Sequence, residues 1–176
     1  MKIFRFLLIV IGIFIFLLFA IPIFLPNKAY SEREIEINAK VDSIYNFVMD
    51  LNNFQHWNPW TEMEKELVLT IDKNNNSTVK IAWDGDTLGT GYIERIDSKP
   101  NQLIKSKVVF LKPWESEALD IMKFQALDST KTKVVWGMEM HLDYPFGRYF
   151  NFFYDKMIGT DYEKGLKKLK TLFESK

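Results

Sequence analysis

The chain has 176 residues, 47% of them hydrophobic and 15% aromatic, and its 23 Lys and Arg balance 23 Asp and Glu to give no formal net charge. That balance argues against the basic surface on which nucleic-acid binding rests, while the size suits one well-filled core. The absence of cysteine excludes disulfides and thiol chemistry, and His56 and His141 lie too far apart in the chain to suggest a metal site, so no metal and no cofactor is expected.

No charged residue interrupts 6–25, FLLIVIGIFIFLLFAIPIFL. A helix of about twenty residues rises roughly 30 Å, the thickness of a bilayer's hydrocarbon core, so 1–26 is predicted to be a single transmembrane anchor. A cleaved signal peptide would have a shorter apolar run followed by small residues; this run ends in Ile-Phe-Leu-Pro. Lys2 and Arg5 precede it while Lys28, Arg33 and Lys40 follow, so charge alone hardly orients the span. The short stretch ahead of it resembles a signal anchor, which favours an extracytoplasmic domain. Residues 27–31 read as a short polar linker, and 32–176 as one domain.

Within that domain, 34–38 alternates with Ile35 and Ile37 on one face, a first strand. Over 41–51 the period changes: Val41, Ile44, Tyr45, Val48 and Leu51 form the stripe of an amphipathic helix. FQHWNPW follows at 54–60, where Pro59 biases Asn58 away from helix. Alternating runs at 67–71 and 79–83, separated by a polar loop, predict a hairpin, and four more strands are expected at 90–97, 102–111, 117–127 and 132–143. Gly89-Thr-Gly91 lacks the rest of a phosphate loop and leads into a strand, so it reads as a hairpin or bulge. Asp84-Gly-Asp86 reads as a turn, because the downstream glutamate of a calcium loop is missing.

The C-terminal end is predicted to be helical. Thr160-Asp-Tyr-Glu163 fits a capping box, and Tyr162, Leu166, Leu169, Leu172 and Phe173 form one stripe. Gly165 beside that stripe costs about 1 kcal/mol against alanine, which implies that something large passes close by. Gly159, just ahead of the box, predicts a left-handed helix stop, making 146–157 a separate aromatic helix hinged against the long one. Runs of strands followed by a helix predict an α+β fold with an antiparallel sheet.

The stretch EREIEINAKVDSIYNFVMDLNNFQHWNPW, the Gly89-Thr-Gly91 strand start with IERIDSKPNQLI, TKVVW at 132–136 and the tail DKMIGTDYEKGLKKLKTLFES resemble membrane-anchored bacterial members of the SRPBCC superfamily. These are START-like, helix-grip proteins of the polyketide cyclase or dehydrase kind. The resemblance implies a seven-stranded antiparallel sheet wrapped around the C-terminal helix, with a hydrophobic cavity between them. It implies no particular reaction.

The residues expected at that cavity are Trp57, Trp83, Val108, Phe110, Met122, Phe124, Trp136, Met138, Met140, Tyr162, Leu166 and Leu169. Phe150, Phe153 and Gly159 are expected to form its gate. Apolar periodicity cannot tell a filled core from a hollow one, so the filled alternative stays open. The resemblance implies that His56 sits on a turn facing water, and the sequence offers it no oriented partner for catalysis. The one ionisable candidate for catalysis is Asp120, inside if it keeps phase with Met122 and Phe124, outside if a bulge shifts the strand. Three functions follow: a membrane-tethered domain binding a hydrophobic small molecule or lipid, a cyclase or dehydratase-like enzyme, or an anchored interaction domain without a ligand, whose protein partner is unspecified.

Overall fold

The computed structural model describes residues 2–64, 66–74 and 78–175. Helix α1 (Lys2–Phe24) is long and apolar enough to cross a membrane. Seven strands follow, β1 (Lys28–Ile37), β2 (Val68–Asn74), β3 (Thr78–Gly85), β4 (Gly89–Lys99), β5 (Leu103–Lys112), β6 (Ser116–Ala126) and β7 (Thr132–His141). They form one antiparallel sheet in the order β1-β7-β6-β5-β4-β3-β2. The tip of the β2–β3 loop, 75–77, lies outside the described residues. Helix α2 (Val41–Met49) and the short α3 (Phe54–Trp57) join β1 to β2. After β7 come two single turns, α4 (Phe146–Tyr149) and α5 (Asn151–Tyr154), a π turn over Asp155–Gly159, and α6 (Thr160–Glu174).

The α+β helix-grip fold is therefore present, with α6 lying over β1 and β7. Ile44 and Val48 of α2 and Tyr162, Leu166 and Leu169 of α6 bury their stripes against Met122, Phe124, Val134, Trp136 and Met138. Gly165 sits where a Cβ would fall 2.6 Å from Trp136 Cζ3 and 3.0 Å from Pro59 Cδ. The ring of Trp136 is thus the large neighbour that the glycine implied.

Three expectations are corrected. Residues 28–31 are not a linker: Lys28–Ser31 pair with His141–Met138 as the first part of β1, because Ala29 and Ser31 continue the inward face of Arg33, Ile35 and Ile37. The Gly159 hinge is absent. Gly159 has φ −62° and ψ −38°, ordinary right-handed helix, and the helix passes through it by a π turn. A Cβ there would lie 2.2 Å from Arg33 Nη2, so close approach of a side chain accounts for the glycine. The capping box does not form either; Thr160 Oγ1 instead donates to Lys156 O at 2.5 Å.

Candidate functional site

Strand register decides what lies on the inner face. Leu69 pairs with Trp83, Trp83 with Gly91 and Gly91 with Phe110, giving one row across β2 to β5. Gly91 is required at the middle of that row. A Cβ would lie 2.3 Å from Trp83 Cζ2 and from Val109 O, so its absence lets the indole lie across β4 and meet Phe110 edge-on at 5.7 Å. The β4–β5 pairing shifts register between Thr90 and Gly91, as the bulge reading anticipated. Asp84-Gly-Asp86 leads into a turn in which Thr87 and Leu88 donate their amides to the Glu64 carboxylate, and those bonds hold the Glu64 pKa below its ordinary value.

Helix α6 does not reach across this row, and an apolar cavity of about 270 Å³ remains between it and the π turn. Leu69, Trp83, Ile93 and Phe110 form its sheet wall, with Phe54, Trp60, Met157 and Ile158 opposite. Its polar lining groups are Thr61 and Asp161. Asp161 is held in place, since Trp60 Nε1 donates to Oδ2 at 3.3 Å and Lys164 Nζ to Oδ1 at 3.1 Å. Thr61 Oγ1 donates to Asn58 O at 2.8 Å. π turns inside helices recur at functional sites, and here the turn carries Met157 and Ile158 into the wall.

Of the residues expected at the cavity, Trp83 and Phe110 line it. Trp57, Val108, Met122, Phe124, Trp136, Met138, Tyr162, Leu166 and Leu169 are packed in the filled core, and Met140 is half-buried at its edge. Phe150 packs edge-on against Tyr154 at 5.8 Å, Phe153 is exposed, and Gly159 touches Arg33. None of these three lines the cavity. A train of rings divides hollow from filled: Phe54 meets Trp57, Trp57 meets Trp136, and Trp136 stacks on Tyr162 at 3.8 Å, which meets Trp60. FQHWNPW is thus mostly partition. His56 faces solvent on a shallow depression with Gln55, Glu62 and Glu64.

Asp120 points inward but away from the cavity. Its Oδ2 accepts from Trp136 Nε1 and Tyr162 OH, both at 2.6 Å. Burial pushes its pKa up, opposed by those two hydrogen bonds and by the charge of Arg95. Register places Arg95, Ser106 and Asp120 side by side on β4, β5 and β6. Arg95 donates to Ser106 Oγ at 2.7 Å and to Val48 O at 3.0 Å, and its burial lowers its pKa. This row knits the core; it does not line the cavity. Among the described residues, no three His, Asp or Glu side chains gather where a metal could be held.

An antiparallel sheet closed by one long helix and left hollow at one end defines a helix-grip domain with an apolar cavity. The chain belongs to the family described as polyketide cyclase / dehydrase and lipid transport, whose model matches residues 29–174. Among solved structures it is similar to the di-domain ARO/CYC StfQ of the steffimycin biosynthetic pathway (12% identity, TM-score 0.64), with 84% of this chain covering 51% of that one, about half its length. It is also similar to the Zhui aromatase/cyclase from Streptomyces sp. R1128, at 14% identity over 84% of this chain and 94% of that one, with a TM-score of 0.61. A Thermobifida fusca protein matches at 12% identity and a TM-score of 0.64 over 83% of this chain and 93% of that one. At such identities the likeness is one of fold. None of the functionally curated proteins matches the chain.

The sequence reading missed Phe54, Trp60, Leu69, Ile93, Met157, Ile158 and Asp161 as cavity residues. The available signal was Gly91: a glycine inside an alternating strand marks close approach by another group.

Proposed function

We propose that this is a membrane-tethered domain that holds a hydrophobic small molecule or lipid chain in the cavity between β2–β5 and the π turn. The cavity carries the reading: about 270 Å³, walled by aromatic and aliphatic side chains, with Thr61 and Asp161 as its polar groups. Ligand sites are concave, mostly apolar and supplied with a few fixed polar groups, and this volume suits a chain segment or one ring better than a large folded substrate. The family description, which pairs cyclase chemistry with lipid transport, agrees. Catalysis finds less support, since Asp120 is bound within the core rather than presented to the cavity.

Organic extraction of the purified full chain followed by mass spectrometry tests the proposal. A co-purifying hydrophobic molecule, lost from a Leu69→Trp variant that fills the cavity, is the expected result. Equal recovery from both proteins would remove the cavity as the binding site. The extracytoplasmic side is part of the same proposal, and protease protection in sealed vesicles reports it.

A further inference from the structure

Sheet register also says which end of the domain the cavity occupies. Val108 pairs with Ala118, Ala118 with Met140 and Met140 with Ala29. The neighbouring row toward the start of β1 runs from Leu69 through Trp83, Gly91 and Phe110 to Ser116. At the same end of the sheet, just past β7, the amide of Leu142 donates to Asn27 O at 2.9 Å, beside the start of β1. The cavity therefore lies at the end of the sheet where the chain arrives from α1.

That end carries large exposed apolar side chains. Trp114, on the β5–β6 turn, is 81% exposed. Tyr144, Phe146, Phe152 and Phe153, beyond the end of β7, are exposed too, as is Met157 at the cavity wall.

This end is also joined to α1 directly. Pro22 has no N–H to give the carbonyl of Leu18 four residues earlier, and Tyr149 OH supplies that bond at 3.0 Å. Tyr144 OH donates to Phe19 O at 2.8 Å, Arg148 Nη1 donates to Pro22 O at 2.8 Å, and the Phe19 and Phe146 rings meet at 6.1 Å. At 1.5 Å of rise per residue, Leu18 lies roughly 9 Å inside the end of the helix at Phe24. Side chains that reach its carbonyl stand beside the last turns of the apolar run, at the depth where Tyr and Trp collect in membrane proteins.

We infer that this end of the domain is seated on the lipid bilayer that holds α1, with Trp114 and the Tyr144–Phe153 segment in the interfacial layer, so that the cavity takes its ligand from the membrane. The inference rests on the membrane tether proposed above. It differs from that proposal in fixing which surface touches lipid and where the ligand enters.

The lack of native cysteine allows single-site labels to be placed without background. Full-length Trp114→Cys, Phe153→Cys, Leu127→Cys and Phe14→Cys chains would carry an environment-sensitive fluorophore in phosphatidylcholine vesicles. Leu127, just past the end of β6, marks the opposite end of the sheet. Nitroxide lipids are expected to quench the labels at 114 and 153 several-fold more strongly than the label at 127, and aqueous iodide to show the reverse order. If 114 and 153 behave like 127 while 14 is quenched by lipid, the seating is overturned and the anchor stands. Failure of lipid to quench the label at 14 overturns the anchor and the seating together. Shielding of 114 and 153 from both quenchers would show protein covering this end and would also overturn the seating.

Discussion

The two halves of the sheet have the same alternation of apolar residues and opposite interiors. On β1, β7 and β6 the inner face meets α6 and fills solidly: Trp136 stacks on Tyr162, and both bond Asp120. On β2 to β5 a row of similar composition, Leu69, Trp83, Gly91 and Phe110, borders empty volume. Side-chain pattern makes a face apolar; the course of the helix above decides whether that face is core or cavity. A polar network holds the filled half in one geometry, whereas the hollow half is framed by rings and a π turn.

Matched tryptophan truncations give the widest separation between the halves. Trp136→Ala should cost about 5 kcal/mol, because it opens a void in a closed core and takes one of two hydrogen-bond donors from the buried Asp120 carboxylate. Trp83→Ala should cost only about 2 kcal/mol, since one side of that ring already borders a cavity and has fewer contacts to lose. Urea unfolding of both variants checks the pair, and equal costs would mean that the two halves are equally filled.

Asp120→Ala should destabilise by about 3 kcal/mol, through the buried Trp136 N–H and Tyr162 O–H left without an acceptor. Thermal unfolding followed by near-ultraviolet circular dichroism reads it, because both rings lie in the affected cluster.

Gly165→Val should cost about 2 kcal/mol by forcing Trp136 and Pro59 aside, more than the gain in helix propensity returns. A raised melting temperature in a scanning calorimeter would mean that the rings have room to move.

At the outer edge of the filled half, Arg33 on β1 grips Asp155 of the π turn with Nη1–Oδ1 at 2.9 Å and Nη2–Oδ2 at 3.0 Å, and Ser31 Oγ adds a bond at 2.7 Å. These contacts, the Arg33 hydrogen bond first, lower the Asp155 pKa to about 2. A depressed carboxylate stabilises the fold above its unfolded value near 4 and loses that contribution as pH falls through about 2. With the Asp155 side chain 65% exposed, solvent screening limits it to about 1 kcal/mol. The acid limb of a stability-versus-pH curve should therefore shift slightly in Asp155→Asn. Smallest of all is Gly159→Ala, where displacing Arg33 costs about as much as the roughly 1 kcal/mol gained in helix propensity; its melting temperature should match the parent's.

The succession of strands along the chain and the inward face of most of them were legible, because period-two alternation survives wherever one face is buried. Asp120 shows how far that logic reaches: unbroken phase with Met122 and Phe124 puts it inside. What alternation could not show was the hollow, which depends on where α6 ends its coverage. Gly159 was misread for a related reason. Ahead of Thr160 and Glu163 it has the local signature of a helix stop, but its cause is tertiary, the guanidinium of Arg33 crossing from β1. Arg95 and Ser106 escaped notice because nothing local marks a buried arginine; only register brings it beside Ser106 and Asp120.

Between the end of α1 at Phe24 and the start of β1 at Lys28 stand only Leu25, Pro26 and Asn27. Fully extended, they would span no more than about 10 Å. With α1 in a bilayer, such a leash cannot carry cargo across an aqueous gap to a second membrane. Any exchange must then occur within a single sheet of lipid, by sideways diffusion and collision, or wait for a mobile acceptor to come to the surface. The domain would work as a fixed berth rather than a ferry.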